Sequence, residues 1–326
     1  MNAPAARDDS DLVSRHSIVG VAVDSAFAAD LFDPRSPGTA TEFGRAVDAS
    51  DIDFLVLGAD RLAPGRPDTP TLDSTVAATI LARHTDRAGI VVTAASWREH
   101  PFNVARRLAS LDHGSRGRVG WLTGPVDHAA PAADAVWSSA DPLDTAADAV
   151  AVARSLWGSW PADSIVNDPV RGVFAESHRI TYIDHDGAYA VSGPLNVPEP
   201  PQGRPPVFWS PRDEWELDVA RRVADVVVVS DEHAAASYRA AVDPDAARDR
   251  ALLVDVHWTP DLDPVPGTAA DGVLVHGATR GTWKHVLAAV ARRPIVGDPR
   301  VSLRDRLGLG APEPGNRGAR SLFPVT

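Results

Sequence analysis

The chain has 326 residues, 44% of them apolar and 23% charged, proportions of a globular protein that buries its own core. It contains no Cys, which excludes disulfides, thiolate nucleophiles, Cys-ligated zinc and iron–sulfur clusters together. Thirty-two basic residues against 44 acidic give a net charge of −12, a field that repels phosphate backbones and anionic lipid, so neither nucleic acid nor membrane is expected as a partner. Residues 1–14 are polar and carry no apolar signal core, and no run approaches the ~18 apolar residues of a membrane helix. Cytoplasmic residence is the expectation. Lys284 is the only Lys, so a Schiff base could form nowhere else.

In chain order, short β-branched runs alternate with Ala/Arg-rich stretches. Strands are predicted at Ser17–Asp24 and Ile52–Asp60, then a helix at Ser74–His84, a strand at Gly89–Ser96, a helix at Pro101–Leu111 and a strand at Gly117–Gly124. A helix follows at Thr145–Trp157, then a strand at Pro206–Ser210, a helix at Glu214–Ala224, and strands at Asp225–Ser230, Ala251–Trp258 and Asp271–His276. Near-continuous apolar strands are covered on both faces, as in parallel sheets, and helical spacing of apolar residues lies between them. Eight such strands indicate an α/β fold of the TIM-type (β/α)8 barrel class, a single unit over 15–309.

The rhythm breaks between strands four and five, where about 80 residues exceed the need of one helix. This interval, about 125–205, reads as an insertion at the catalytic face. Within it Gly172–Val191 predicts a hairpin turning at Asp186–Gly187, and GPLNVPEPPQGRPP must run extended. Residues 1–14 and 310–326 read as loosely held termini.

The chain has no GxxxxGK[ST] loop, GxSxG elbow, HExxH helix or GxGxxG turn, which removes the usual phosphate-loop, hydrolase, zincin and dinucleotide readings. A barrel presents its site at the C-terminal ends of its strands, and there stand Asp24, Asp60, Thr93, Ser96, Thr123, Ser210, Asp213, Ser230 and His276. For each of these the plainer role is a helix cap or turn residue. Asp184-His185-Asp186 reads as a solvated turn rather than a metal site. His100 and His113 read as capping or packing residues, and Trp121, Trp137, Trp157 and Trp160 as core.

Longer blocks carry more. Pro101–Trp121 (PFNVARRLASLDHGSRGRVGW), Leu156–Trp160 (LWGSW), Val191–Pro206 (VSGPLNVPEPPQGRPP) and Ser302–Leu309 (SLRDRLGL) resemble the bacterial luciferase-like flavin-dependent monooxygenases. The likeness is to the branch of nitrilotriacetate, dibenzothiophene sulfone and long-chain alkane monooxygenases, and it covers most of the chain. The resemblance implies a (β/α)8 barrel holding reduced FMN supplied by a separate NAD(P)H-dependent flavin reductase. Oxygen would add at flavin C4a, and the peroxide would oxidise a small organic substrate. Homo-oligomers are usual in this superfamily.

Carried over residue by residue, the resemblance places Asp60 near the flavin ring and Thr93, with Ser96 as alternative, on strand three. The chain departs from the family pattern elsewhere. Leu122 replaces an Asn, Ser139 and Leu143 fall where His and Tyr approach the phosphate, and Asp213 in SPRD stands in place of the phosphate-binding Ser. Ser210 and Arg212 are then the nearest substitutes for phosphate. An alternative reading is a barrel that has lost FMN and serves as a partner subunit or ligand-binding protein. A third is a deazaflavin-dependent oxidoreductase.

Overall fold

The computed structural model describes residues 17–50, 52–64, 72–129, 140–243, 249–261, 269–291, 301–312 and 319–324. Its strands are β1 (Ile18–Val23), β2 (Phe54–Leu57), β3 (Gly89–Thr93), β4 (Val119–Thr123), β5 (Ile165–Asp168) and β6 (Val173–Ala175). They continue as β7 (Asp184–Asp186), β8 (Ala190–Ser192), β9 (Val207–Trp209), β10 (Val226–Val229), β11 (Ala251–His257) and β12 (Gly272–His276). The helices are α1 (Ser25–Leu31), α2 (Thr39–Ala49), α3 (Ser74–Ala82), α4 (Pro101–Ser115), α5 (Pro142–Trp157), α6 (Glu214–Val223), α7 (Glu232–Ala241), α8 (Trp283–Val290) and α9 (Leu303–Arg306). No helix among the described residues is long and apolar enough to cross a membrane.

All eight expected barrel strands form. They close in parallel in the order β1-β12-β11-β10-β9-β4-β3-β2. Alternation along each strand divides the core in two. Outward side chains such as Val21, Leu55, Ile90, Val92 and Trp121 pack against the helices. Inward ones, including Val56, Val91, Leu122, Phe208, Val228 and Leu274, fill the barrel. The filling depends on absent side chains: a Cβ on Gly20 would lie 2.3 Å from the ring of Phe54. Phe54 in turn meets Phe208, with ring centroids 5.2 Å apart.

SLRDRLGL closes the barrel at the N-terminal ends of its strands. Ser302 caps α9, the Leu303 N–H donates to Gly117 O at 2.8 Å, and Leu303, Leu307 and Leu309 join the inner cluster.

The interval between β4 and β9 runs along the outside of the barrel. Asp141 caps α5, with Pro142 at its first turn, which moves the helix start ahead of the expected Thr145. The Trp157 indole donates to Ala105 O at 3.0 Å, and Trp121 and Trp157 pack edge to face in the core, while Trp137 lies outside the described residues. The expected single hairpin is two. β7 and β8 pair around Gly187 as anticipated, but Val173–Ala175 pairs back with β5. Within the Pro-rich stretch the Gln202 amide donates to Asp112 Oδ1 at 2.8 Å and to Val119 O at 2.6 Å. Residues 1–14 lie outside the described residues, and of the C-terminal stretch Ser321 bridges to Thr181 while Leu322 N–H donates to Ile180 O.

Candidate active site

At the opposite end, where the strands finish, the barrel opens into a cavity of about 660 Å³, within the range of small-molecule sites. Its floor is the last inward layer: Val56, Leu122, Phe208, Val228 and Leu274. Leu122, the departure from the family Asn, is part of that apolar floor. Leu62, Ala63 and Pro64, after β2, form one side, and Asp255, His257 and His276 form the other.

Five of the candidates singled out from sequence line this cavity: Asp60, Ser210, Arg212, Ser230 and His276. Asp60 Oδ1 accepts the Ser25 N–H at 3.0 Å and the Ser25 hydroxyl at 3.1 Å. Burial pushes its pKa above the ordinary carboxylate value, opposed by the Ser25 hydrogen bonds and reinforced by the charge of Asp24. Asp24 itself caps α1, accepting from Phe27 N–H at 2.8 Å.

Thr93 and Ser96 are buried and do not line the cavity wall. Thr93 shares the parity of Val91 and so faces the barrel interior. The hydroxyls of Thr93 and Ser96 have no hydrogen-bond partner, whereas Ser96 O accepts from the Tyr189 hydroxyl at 2.8 Å. That bond fixes the β7–β8 hairpin beside the rim.

Asp213 is the N-cap of α6 and accepts from Glu216 N–H at 2.8 Å. Its neighbour Arg212 donates from Nε to Glu216 Oε1 at 2.7 Å, with Nη1 3.1 Å from His128 Nε2. Leu143 lies in the first turn of α5, away from the cavity, and Ser139 falls outside the described residues.

Of the rim residues, Arg61, Arg98, Asp127, Asp255 and His257 escape a reading of the sequence, whereas His276 is a strand-end candidate there. The Arg61 guanidinium meets Asp127 at 2.5 Å, and Arg98 approaches the same carboxylate at 3.7 Å. On the other wall His276 Nε2 lies 3.0 Å from Asp255 Oδ1, with His257 opposite His276 in the sheet register. Strand alternation is the available signal, since Ala251, Leu253, Asp255 and His257 fall on one face of β11.

The Asp184-His185-Asp186 reading needs correction: the triplet is β7, not a turn, and His185 Nε2 lies 2.7 Å from Asp148 Oδ1 on α5. Among the described residues no group of three His, Asp or Glu is placed to hold a metal. His100 caps α4 through Nδ1, 3.3 Å from Phe102 N, and packs edge-on against Tyr189. His113 Nε2 lies 3.2 Å from Pro198 O.

Residues 19–256 match the sequence profile of the luciferase-like monooxygenases. One of the subunits of pristinamycin IIA synthase, from Streptomyces pristinaespiralis, is 34% identical over 299 residues, covering 86% of this chain and 94% of that one. Nitrilotriacetate monooxygenase component A from Aminobacter aminovorans is 34% identical over 152 residues, 45% of this chain and 34% of that relative. Among solved structures, EDTA monooxygenase from Chelativorans sp. BNC1 superposes with a TM-score of 0.68 at 19% identity, covering 91% of this chain and 99% of the other, a likeness of fold.

Proposed function

The chain belongs to the luciferase-like monooxygenase family, and from that premise we propose that its barrel mouth takes up reduced FMN and, with dioxygen, oxidises a small organic substrate. The observation that carries this reading is the chemistry of the mouth: an apolar floor, Asp60 held by Ser25, and an inward Thr93 hydroxyl with no partner. A flavin fits such residues. The floor suits the ring face and Asp60 its polar edge; the Thr93 and Ser96 hydroxyls, buried behind the cavity wall, would meet that edge only if wall side chains shift to admit it.

The phosphate is assigned to Ser210 and the Nη1 side of Arg212 rather than to the α6 N-terminus. There Asp213 already takes the Glu216 N–H. A carboxylate ~4 Å from a phosphate charge would cost about 4 kcal/mol at an effective dielectric near 20. Arg212 contributes its positive charge and its Nη1 side, which lies beside His128, while its Nε and Nη2 edge is held by Glu216.

When bound, reduced flavin together with dioxygen supplies the oxidant for transfer of one oxygen atom. The protein's share is positional. Val56, Leu122, Phe208, Val228 and Leu274 keep water from the reacting region. Asp60, its pKa raised by burial, holds the ring edge, and the His276–Asp255 pair can hold a proton at Nε2 on the facing wall. A separate NAD(P)H-dependent flavin reductase would supply the reduced flavin in the cytoplasm, and the chain would act within an oligomer. The relative matched almost end to end is itself a synthase subunit.

Anaerobic titration with reduced FMN tests the reading, with a dissociation constant of ~1–10 μM expected. Asp60→Ala should raise it at least ~10-fold with the fold intact. No binding at ~100 μM by the folded protein would overturn the proposal and leave the barrel to another ligand or a partner-subunit role.

A further inference from the structure

Positive charge collects at the barrel end opposite the mouth. Arg154, Arg204, Arg222, Arg250 and Arg304 surround a cavity of about 260 Å³. They converge there because that is where helices end and strands begin. Arg154 lies in the last turn of α5, Arg222 near the end of α6, Arg204 and Arg250 lead into β9 and β11, and Arg304 lies in α9. Asp225 and Asp249 share the cavity, leaving an excess of positive charge in a chain whose net charge is −12.

The carboxylates do not neutralise the cluster. Asp225 is already committed, accepting from Arg154 Nη2 at 2.9 Å, Arg304 Nη2 at 3.3 Å and Val207 N–H at 2.9 Å. Arg304 has further structural duties, donating to Gly310 O at 3.0 Å and Arg204 O at 3.2 Å. Arg250 donates to Arg221 O. Arg204 and Arg222 form no ion pair with any described carboxylate, although Arg204 is half-buried. Burial, together with the like charges of Arg154 and Arg304, lowers the Arg204 pKa against the smaller opposing pull of Asp225 and Glu199. A half-buried cation beside two others is costly unless an anion joins them.

The geometry points to a binding site for a phosphate-bearing anion in this cavity, either free phosphate or diphosphate or the phosphates of a nucleotide. Guanidinium forks match phosphate oxygens bidentately, and a cavity this small suits the phosphate group rather than a whole flavin. The site is separate from the mouth. β10 runs between Asp225 at this end and Ser230 at the other, and four residues of strand span about 13 Å. The inference does not rest on the flavin reading.

Titrating the whole protein with sodium diphosphate, followed by calorimetry and thermal melting against KCl of matched ionic strength, tests it. A saturable rise in melting temperature beyond the KCl control is expected. Arg204→Gln should weaken diphosphate binding at least ~10-fold, and without anion it should melt higher than the parent because a like-charge contact is gone. Arg222→Gln, at an exposed position, guards against a folding artefact and should weaken binding several-fold. Tighter binding of ADP than of diphosphate would assign the site to a nucleotide, and equal binding to the phosphate group alone. Stabilisation no greater than by KCl, or diphosphate binding unchanged in both variants, would overturn the inference.

Discussion

Thr93 illustrates how a single side chain can be costly for the fold and useful for the site. Its hydroxyl is buried, faces the barrel interior and has no hydrogen-bond partner. Burying an unpaired hydroxyl costs roughly 1–3 kcal/mol. Thr93→Val keeps the branched shape and removes that cost. The variant should unfold at higher denaturant concentration, by about 1 kcal/mol, while its affinity for reduced FMN falls several-fold. Equal stability and equal affinity would remove Thr93 from the site. Much of this residue scale is legible in the sequence, because the end of a barrel strand and the parity within it follow from the apolar run. Asp24 and Asp213 are caps, as helix starts after strands require. Asp255 and His257 lie within the predicted strand Ala251–Trp258 but are harder to read for a different reason: they fall in the polar continuation of its apolar run, and which face of it meets the cavity is fixed only by barrel closure. Arg61 cannot be read at all, since its partner Asp127 lies 66 residues away.

Among the elements, the two hairpins of the interval show where local pattern fails. The Asp186–Gly187 turn is visible because turn chemistry is local. The pairing of Val173–Ala175 with β5 is not, although NDPVRG carries its own turn. Asp168 Oδ1 accepts the N–H groups of Val170 and Arg171 at 2.9 and 3.0 Å, folding the chain back well before the Asp186–Gly187 turn. β7–β8 is then anchored from outside itself. Asp148 on α5 accepts from Tyr189 N–H at 2.9 Å and meets His185, while the Tyr189 hydroxyl reaches Ser96 O. Asp148→Ala should therefore loosen the hairpin and the rim together. A loss of about 1–3 kcal/mol is expected, with faster amide exchange confined to 184–192 and the loop after β3. Uniform exchange changes across the barrel would show that Asp148 supports something larger than the hairpin.

At the scale of the whole molecule, one carboxyl joins three distant segments where the barrel is plugged. Asp112, at the end of α4, has no exposed surface; its Oδ1 accepts from Val119 N–H at 3.0 Å and from the Gln202 amide at 2.8 Å. Gln202 Oε1 in turn accepts the Arg304 N–H at 3.1 Å. Helix α4, the Pro-rich stretch and the α9 plug thus meet at one acid whose other oxygen, Oδ2, has no partner. Family-like blocks in the sequence mark all three segments, but their convergence depends on barrel closure and cannot be read from spacing. Burial raises the Asp112 pKa from 3.8 to about 6, against the pull of its hydrogen bonds. The folded state therefore holds the proton more tightly than the unfolded chain. Its contribution is fully present below the unfolded value, declines as pH rises through that window, and is lost above about pH 6. A shift of this size corresponds to about 3 kcal/mol. Urea unfolding of the parent should show stability falling between pH 4 and pH 6.5. Asp112→Asn, which keeps the Oδ1 acceptor and cannot ionise, should flatten that slope. The same slope in parent and variant would place the titrating group elsewhere, and a variant less stable than the parent at pH 8 would mean that the ionised carboxylate is the form the plug requires.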